Sequence, residues 1–355
     1  MTHLYCTGKL LGCGTYAIVK EATHLRTGKI YACKIINKKL IKGKEDLVRN
    51  EIAVLKQISG RNPNIAILHD YFETANNLYL CFDLYSGGEL FDRICSRSSY
   101  YEADAAALIR TIMSGVLVIH NAGIVHQDLK PENLLFRTKA SDADIMITDF
   151  GLSRIMDEGK ACMLTDVCGT PGYMAPEIFL SKGHGKPVDI YAMGVVTYFL
   201  LVGYTPFNRA TPKEEDMARI AGTYRFEPKK YWGNISEVAC SFVRACLAMD
   251  PQQRLTAAQA LDHPWLASKT PHFVRNSASI HEGPTDLLPH VRRAVTERMT
   301  WKPTRFSFAE IKQYQEESSL EILENTSITH QHDPKTDGEL ADSGPAPSHD
   351  SLQPA

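Results

Sequence analysis

Apolar positions divide the chain into a strand-rich first part, a helical middle and a loosened tail. From Cys6 to Val19, two apolar runs flank the turn Gly12-Cys13-Gly14-Thr15-Tyr16-Ala17, which predicts strand, turn, strand. Ile30-Tyr31-Ala32-Cys33-Lys34-Ile35-Ile36 is an apolar strand run with one lysine in it. Leu47 to Leu55 has helical apolar spacing and carries Glu51. Asn77 to Leu84 reads as a buried strand leading out of the first part, and Ser86-Gly87-Gly88-Glu89-Leu90-Phe91-Asp92 opens the helical one. Ala103 to His120 is rich in Ala, Ile, Leu and Val on more than one face, which predicts a core helix. After Leu266 the composition shifts to Ser, Thr, His and Asn. Helical spacing returns at Thr285 to Trp301, with Leu288, Val291, Val295 and Met299 on one face. Thr285 is the candidate N-cap and Pro289 lies in the first turn. From about Asp333 to Ala355, Ser, Pro, Gly and Asp predict disorder.

Composition narrows the class only a little. The 355 residues suffice for two packed lobes and a tail, and 44% hydrophobic with 23% charged residues is ordinary for a globular chain. A formal net charge of −2 gives no electrostatic case for nucleic acid or a membrane surface. The nine cysteines include no Cys-x-x-Cys pair, no apolar run reaches membrane-spanning length, and the N-terminus does not begin a signal peptide. A soluble protein of the cytoplasm or nucleus, with reduced thiols, is expected.

Two features carry chemistry. Lys34 lies in a strand that should be buried, where an unpaired ammonium is costly, so it needs an anion; Glu51, seventeen residues on, supplies one. The stretch Ile124-Val125-His126-Gln127-Asp128-Leu129-Lys130-Pro131-Glu132-Asn133 gathers an acid, a cation and an amide, and Asp149-Phe150-Gly151 adds a second acid. Phosphoryl transfer needs such a set: a carboxylate to receive a hydroxyl proton, and an amide plus a second carboxylate to hold magnesium on phosphates. The H-x-D-L-K-P-E-N and D-F-G pair resembles the eukaryotic protein kinases, and the resemblance covers about Tyr5 to Leu266.

That resemblance implies an α+β, two-lobed kinase fold with a small β-rich N-lobe (1–82), a hinge (83–86), a larger helical C-lobe (87–266), a helical regulatory segment (267–325) and a disordered tail (326–355). Its cofactors would be ATP and Mg2+. It places Leu11, Gly12, Gly14, Val19 and Lys34 on ATP, with Ala17 standing where the family has a third glycine, and the backbone of Asp83 to Tyr85 on adenine behind Phe82 as gatekeeper. Asp128 would accept the substrate proton, Lys130 would neutralise the migrating phosphoryl, Glu51 would orient Lys34, and Asn133 and Asp149 would bind magnesium. His126 is expected to be a packed structural histidine. Thr170, in Cys168-Gly169-Thr170-Pro171-Gly172-Tyr173, would bond near Asp128 and Lys130, and Glu177 would pair with Arg254.

Leu78-Tyr79-Leu80, Ser86 to Asp92 and Cys168 to Tyr173 are similar to the calcium/calmodulin-dependent kinases, type I above all. There Glu89 and Glu132 would favour arginine three residues before the target Ser or Thr. The basic amphipathic stretch, with Arg292, Arg293, Val295, Trp301 and Lys302, suits autoinhibition and calmodulin binding. Two anchor registers stay open, Leu288–Val295–Trp301 and Trp301–Phe308–Tyr314, and so does simple packing of the helix on the large lobe. Two departures stand out. Most of this group has Arg at Gln127, where it pairs with an activation-segment phosphate, and the phosphorylated threonine falls on Asp166. The two changes are compatible with a kinase that needs no activation-loop phosphorylation, and neutral drift at both positions is the alternative; Thr165 lies next door and keeps the question open. A pseudokinase scaffold and a calmodulin-independent kinase are the competing readings.

Overall fold

The computed structural model describes residues 4–14, 17–156, 163–267 and 284–300, with side chains to Thr296. The first part is a five-stranded antiparallel sheet of β1 (Tyr5–Cys13), β2 (Ala17–His24), β3 (Ile30–Asn37), β4 (Leu68–Glu73) and β5 (Asn77–Asp83), in the order β1-β2-β3-β5-β4. In β3, strand alternation sends Cys33 and Lys34 to opposite faces. Lys34 lies opposite Val19 on β2 and Leu80 on β5. The strand β4 has no counterpart in the sequence reading: its six residues alternate half-buried with exposed, a pattern too short to stand out.

Helix α1 (Glu45–Ile58) packs on this sheet through Val48, Glu51, Val54, Leu55 and Ile58, a stripe at three- and four-residue spacing. Glu45 and Asp46 in its first turn suit the positive end of the helix dipole. Glu51 occupies a position that spacing reserves for an apolar side chain, and Lys34 is the reason.

The helical lobe begins with α2 (Leu90–Cys95) and α3 (Glu102–Asn121). No stretch of membrane-spanning length was expected, yet α3 has both the length and the apolar content of one. Its apolarity has a different cause, because Ile109, Ile112, Met113, Val116 and Ile119 lie inside the lobe's core. Beside it runs the helix Pro187–Val202, in which nearly every residue is buried, as a helix apolar all round must be. It ends at Gly203, at φ 83°, where a Cβ would collide with the His290 carbonyl.

His290 belongs to the helix Leu288–Thr300, which lies against α2 and the helix Pro187–Val202 and buries Leu288, Val291 and Ala294. It starts three residues after the expected N-cap. Asp286, not Thr285, accepts the Leu288 amide at 3.0 Å, and the same oxygen takes the Tyr100 amide at 2.8 Å. A carboxylate one residue further on can join this helix to the lobe as well as cap it.

Candidate active site

The catalytic stretch sits between two short ladders. One pairs β6 (Ile124–Val125) with β9 (Arg154–Ile155), and the other pairs β7 (Leu134–Phe136) with β8 (Ile145–Ile147). The turn between β6 and β7 presents Asp128, Lys130 and Asn133, and the segment between β8 and β9 presents Asp149. Two residues here have left-handed backbones, Gln127 at φ 68° and Asp149 at φ 56°. Such conformations cost about 1–3 kcal/mol each and persist only where surrounding bonds enforce them.

Asp189 supplies that enforcement for the catalytic turn. Fully buried in the core helix, it accepts the His126 and Gln127 amides and the His120 Nε2, each at 2.9 Å. Burial alone would raise its pKa, but His120, His126 and the His126 amide more than reverse the effect, so the net shift is downward. His126 is packed as expected. Its Nε2 lies 3.1 Å from the Thr148 carbonyl and its ring lies 4.8 Å from that of Phe150.

Asp128, Lys130 and Thr170 form a closed ring. Lys130 Nζ donates to Asp128 Oδ2 at 2.6 Å and to Thr170 Oγ1 at 2.7 Å, and Thr170 Oγ1 donates to Asp128 Oδ1 at 2.7 Å. Asn133 Nδ2 adds bonds to the Asp128 carbonyl at 2.8 Å and to Oδ2 at 3.1 Å. The carboxylate therefore has one orientation. Pairing of Glu177 with Arg254, the architectural contact expected from the sequence, is present at 2.7 and 3.1 Å.

On the sheet side, Lys34 Nζ bonds Glu51 at 2.7 Å and Asp149 at 3.0 Å. Burial lowers the Lys34 pKa, but the two carboxylates outweigh it and the net shift is upward. Burial pushes the Glu51 carboxyl up against the pull of Lys34. The Lys34 ammonium holds the half-exposed Asp149 down at about 2, against a usual 3.8, even though burial opposes it. Asp149 therefore stabilises the fold fully above pH 3.8 and loses that contribution as the pH falls towards 2. In urea unfolding, the stability difference between wild type and Asp149→Asn should shrink across that window; a constant difference would contradict the assignment.

Leu11 and Val19 flank the glycine turn, and Gly12 pairs with Val19 across the ladder. A Cβ on Gly12 would meet nothing within 4 Å, so the turn leaves space above the sheet. At the end of β5, Asp83 is bound by Lys29 at 3.1 Å and His69 at 2.8 Å; these partners lower its pKa despite burial. Tyr85 is half-buried, its hydroxyl facing the Ile67 amide at 3.4 Å. Glu89 lies exposed at the start of α2, and Glu132 is half-buried in the turn Pro131–Asn133.

The donor set suits magnesium. Asn133 and Asp149 offer hard oxygens, and two protein ligands are the sparse complement this ion takes alongside substrate phosphates. No group of three or more His, Cys, Asp or Glu that could form a self-contained metal cage occurs among the described residues. With its nitrogen committed to Asp128, Asn133 keeps its amide oxygen for a cation.

Two of the tail residues expected to bind a partner are engaged with the large lobe. Arg292 donates to the Cys95 carbonyl at 3.0 Å and the Arg97 carbonyl at 2.7 Å, at the end of α2. Arg293 lies over the Tyr231 ring at 4.9 Å, and Val295 is half-buried. Trp301 and Lys302 lie outside the described residues, as do Phe308 and Tyr314 of the second register. Sequence reasoning missed the role of Asp189. For Asp189 a signal existed, since a carboxylate in so apolar a helix demands partners.

A carboxylate fixed by lysine, threonine and asparagine, a second one paired with a lysine, and a glycine turn are the parts of a phosphotransferase. Residues 5–266 match the protein kinase domain, and the chain belongs to the protein kinase family. ATP with Mg2+ is accordingly its phosphoryl donor. Among relatives, it is 55% identical to the calcium/calmodulin-dependent protein kinase cmkB of Emericella nidulans, over 83% of this chain and 72% of that one. It is 52% identical to the calcium/calmodulin-dependent protein kinase type I of Schizosaccharomyces pombe, over 84% and 85%. With the human calcium/calmodulin-dependent protein kinase type 1B, identity is 45% over 76% and 77%.

Proposed function

We propose that this chain is a serine/threonine kinase that phosphorylates proteins with arginine three residues before the target, held down by its segment 267–325 and activated by calcium-loaded calmodulin. The catalytic part is carried by the Asp128–Lys130–Thr170 ring together with the Lys34–Glu51 pair bonded to Asp149. Asp128 positions the substrate hydroxyl and takes its proton, with Asn133 and Lys130 fixing the carboxylate. Lys130 places positive charge where the migrating phosphoryl passes. Lys34, oriented by Glu51, holds the nucleotide phosphates, and the backbone from Asp83 to Tyr85 holds the adenine edge. Leu11 and Val19 cover the base, and Gly12 and Gly14 let the backbone approach the phosphates. Asn133 and Asp149 would hold magnesium, which screens the phosphate charge. Glu89 and Glu132 would pair with the substrate arginine.

Calmodulin control rests on the relatives' names and on the basic helix. That helix is docked through Leu288, Val291 and Ala294, as both simple packing and autoinhibition require. The division into lobes (1–82 and 87–266), hinge (83–86), regulatory segment and tail (326–355) belongs to the same reading.

The test is phosphate transfer to a peptide carrying Arg three residues before Ser, with and without calcium and calmodulin, with Asp149→Asn as the blank. Turnover above the blank that rises with calmodulin is expected. Equal turnover in both conditions would remove calmodulin and leave a constitutive kinase. Turnover no higher than the blank would mean either that an upstream kinase is needed or that the chain is a scaffold.

A further inference from the structure

We infer that Gln127 is a positioning residue: its neutral amide clamps the activation segment to the catalytic turn and so takes the place of a phosphate-bound arginine. The inference rests on the kinase reading and concerns regulation of the same site. The Gln127 side chain is buried among three partners. Its Oε1 accepts the Cys168 thiol at 3.1 Å and His184 Nε2 at 2.9 Å, and its Nε2 donates to the Leu152 carbonyl at 2.8 Å. One amide thus joins the catalytic turn, the residues following Asp149-Phe150-Gly151, the activation segment and the loop ahead of the helix Pro187–Val202. His184 is tied to the same segment a second time, because its backbone exchanges both hydrogen bonds with Leu164, at 2.8 and 3.0 Å.

The cluster is built for a neutral group. Burial pushes the His184 pKa down and the Cys168 thiol up to about 11, so a neutral imidazole and an intact thiol face Gln127 near neutral pH. A guanidinium at this position would be buried beside them and would need an anion on the activation segment to balance it. Asp166, two residues before Cys168 on that segment, is directed elsewhere: it lies 3.5 Å from Arg154, with about two thirds of its side chain exposed. With its carboxylate that exposed, the pair contributes little. Order in the segment therefore comes from the buried amide, and Asp166–Arg154 is an accessory.

The experiment uses the full chain, dephosphorylated with a general phosphatase and checked by mass spectrometry. Wild-type turnover on the arginine peptide should change by no more than about twofold on dephosphorylation, and Asp166→Ala should likewise stay within about twofold. Gln127→Met keeps the volume and removes the bonds. It should lower kcat by about 10- to 100-fold with little change in the KM for ATP, and speed amide exchange across residues 163–170. Cys168→Ala, which removes one bond, should show the same pattern more weakly. Nucleotide affinity and the unfolding midpoint report whether each variant is folded. A severalfold loss of wild-type turnover on removing phosphate from Thr165 would overturn the inference, as would Gln127→Met with unchanged kcat and exchange. Wild-type turnover no higher than the Asp149→Asn blank both before and after dephosphorylation would defeat the kinase reading instead, and the exchange measurement would still decide the clamp.

Discussion

Asp128→Asn should lower kcat for peptide phosphorylation by about 10²- to 10⁴-fold while ATP affinity stays nearly constant, because a positioned general base contributes on that scale. Asp128 is held from both sides, by Thr170 on Oδ1 and by Lys130 and Asn133 on Oδ2. An asparagine fits the same space and keeps one acceptor, so the fold should survive. What disappears is the negative charge that draws the hydroxyl proton and faces the Lys130 ammonium. The Lys34–Glu51–Asp149 group is untouched by the change. Steady-state kinetics with a separate nucleotide-binding titration would check this. A kcat within about threefold of wild type would remove Asp128 from the chemistry.

The second large effect concerns stability. Arg254→Met should lower the unfolding free energy by about 3–5 kcal/mol, since it strands a buried carboxylate. Glu177 is 5% exposed and Arg254 3%, and the guanidinium makes a two-point contact at 2.7 and 3.1 Å. It also donates to the Ala248 carbonyl at 3.0 Å and the Pro187 carbonyl at 2.9 Å, and it lies over the Tyr191 ring at 5.0 Å. Removing it leaves Glu177 and two carbonyls without their partner. Replacing both members, as Glu177→Gln with Arg254→Met, should recover part of the loss because no buried charge remains. Urea unfolding of the single and double variants measures this. A single-variant loss below about 1 kcal/mol would mean that water reaches Glu177.

Legibility differed from residue to residue for physical reasons. Lys34 and Glu51 could be paired from the sequence alone, because an ammonium in an apolar strand and a carboxylate on an apolar helix stripe each demand a partner. Asp128, Lys130 and Asn133 were legible because they lie on one turn, where spacing nearly determines geometry. The strand β4 and the helix-starting role of Asp286 were not, since each depends on a neighbour distant in the chain. Gln127 marks the boundary. Its departure from the family pattern was visible, but its three partners were not.

The amino-acid sequence by itself therefore determined the class of chemistry, the residues that would carry it and the apolar stripes that build both lobes. These follow from local spacing and from the cost of burying a charge. Only the tertiary structure decided what holds those residues in place. Asp189 pins the catalytic turn from the core helix, Arg292 and Arg293 lie against the large lobe, and Cys168, His184 and Leu152 converge on a single amide. Such contacts join segments tens of residues apart, and hydrogen bonding is short-ranged and directional. Nothing in the order of residues along the chain brings those groups together; the packing of the large lobe does.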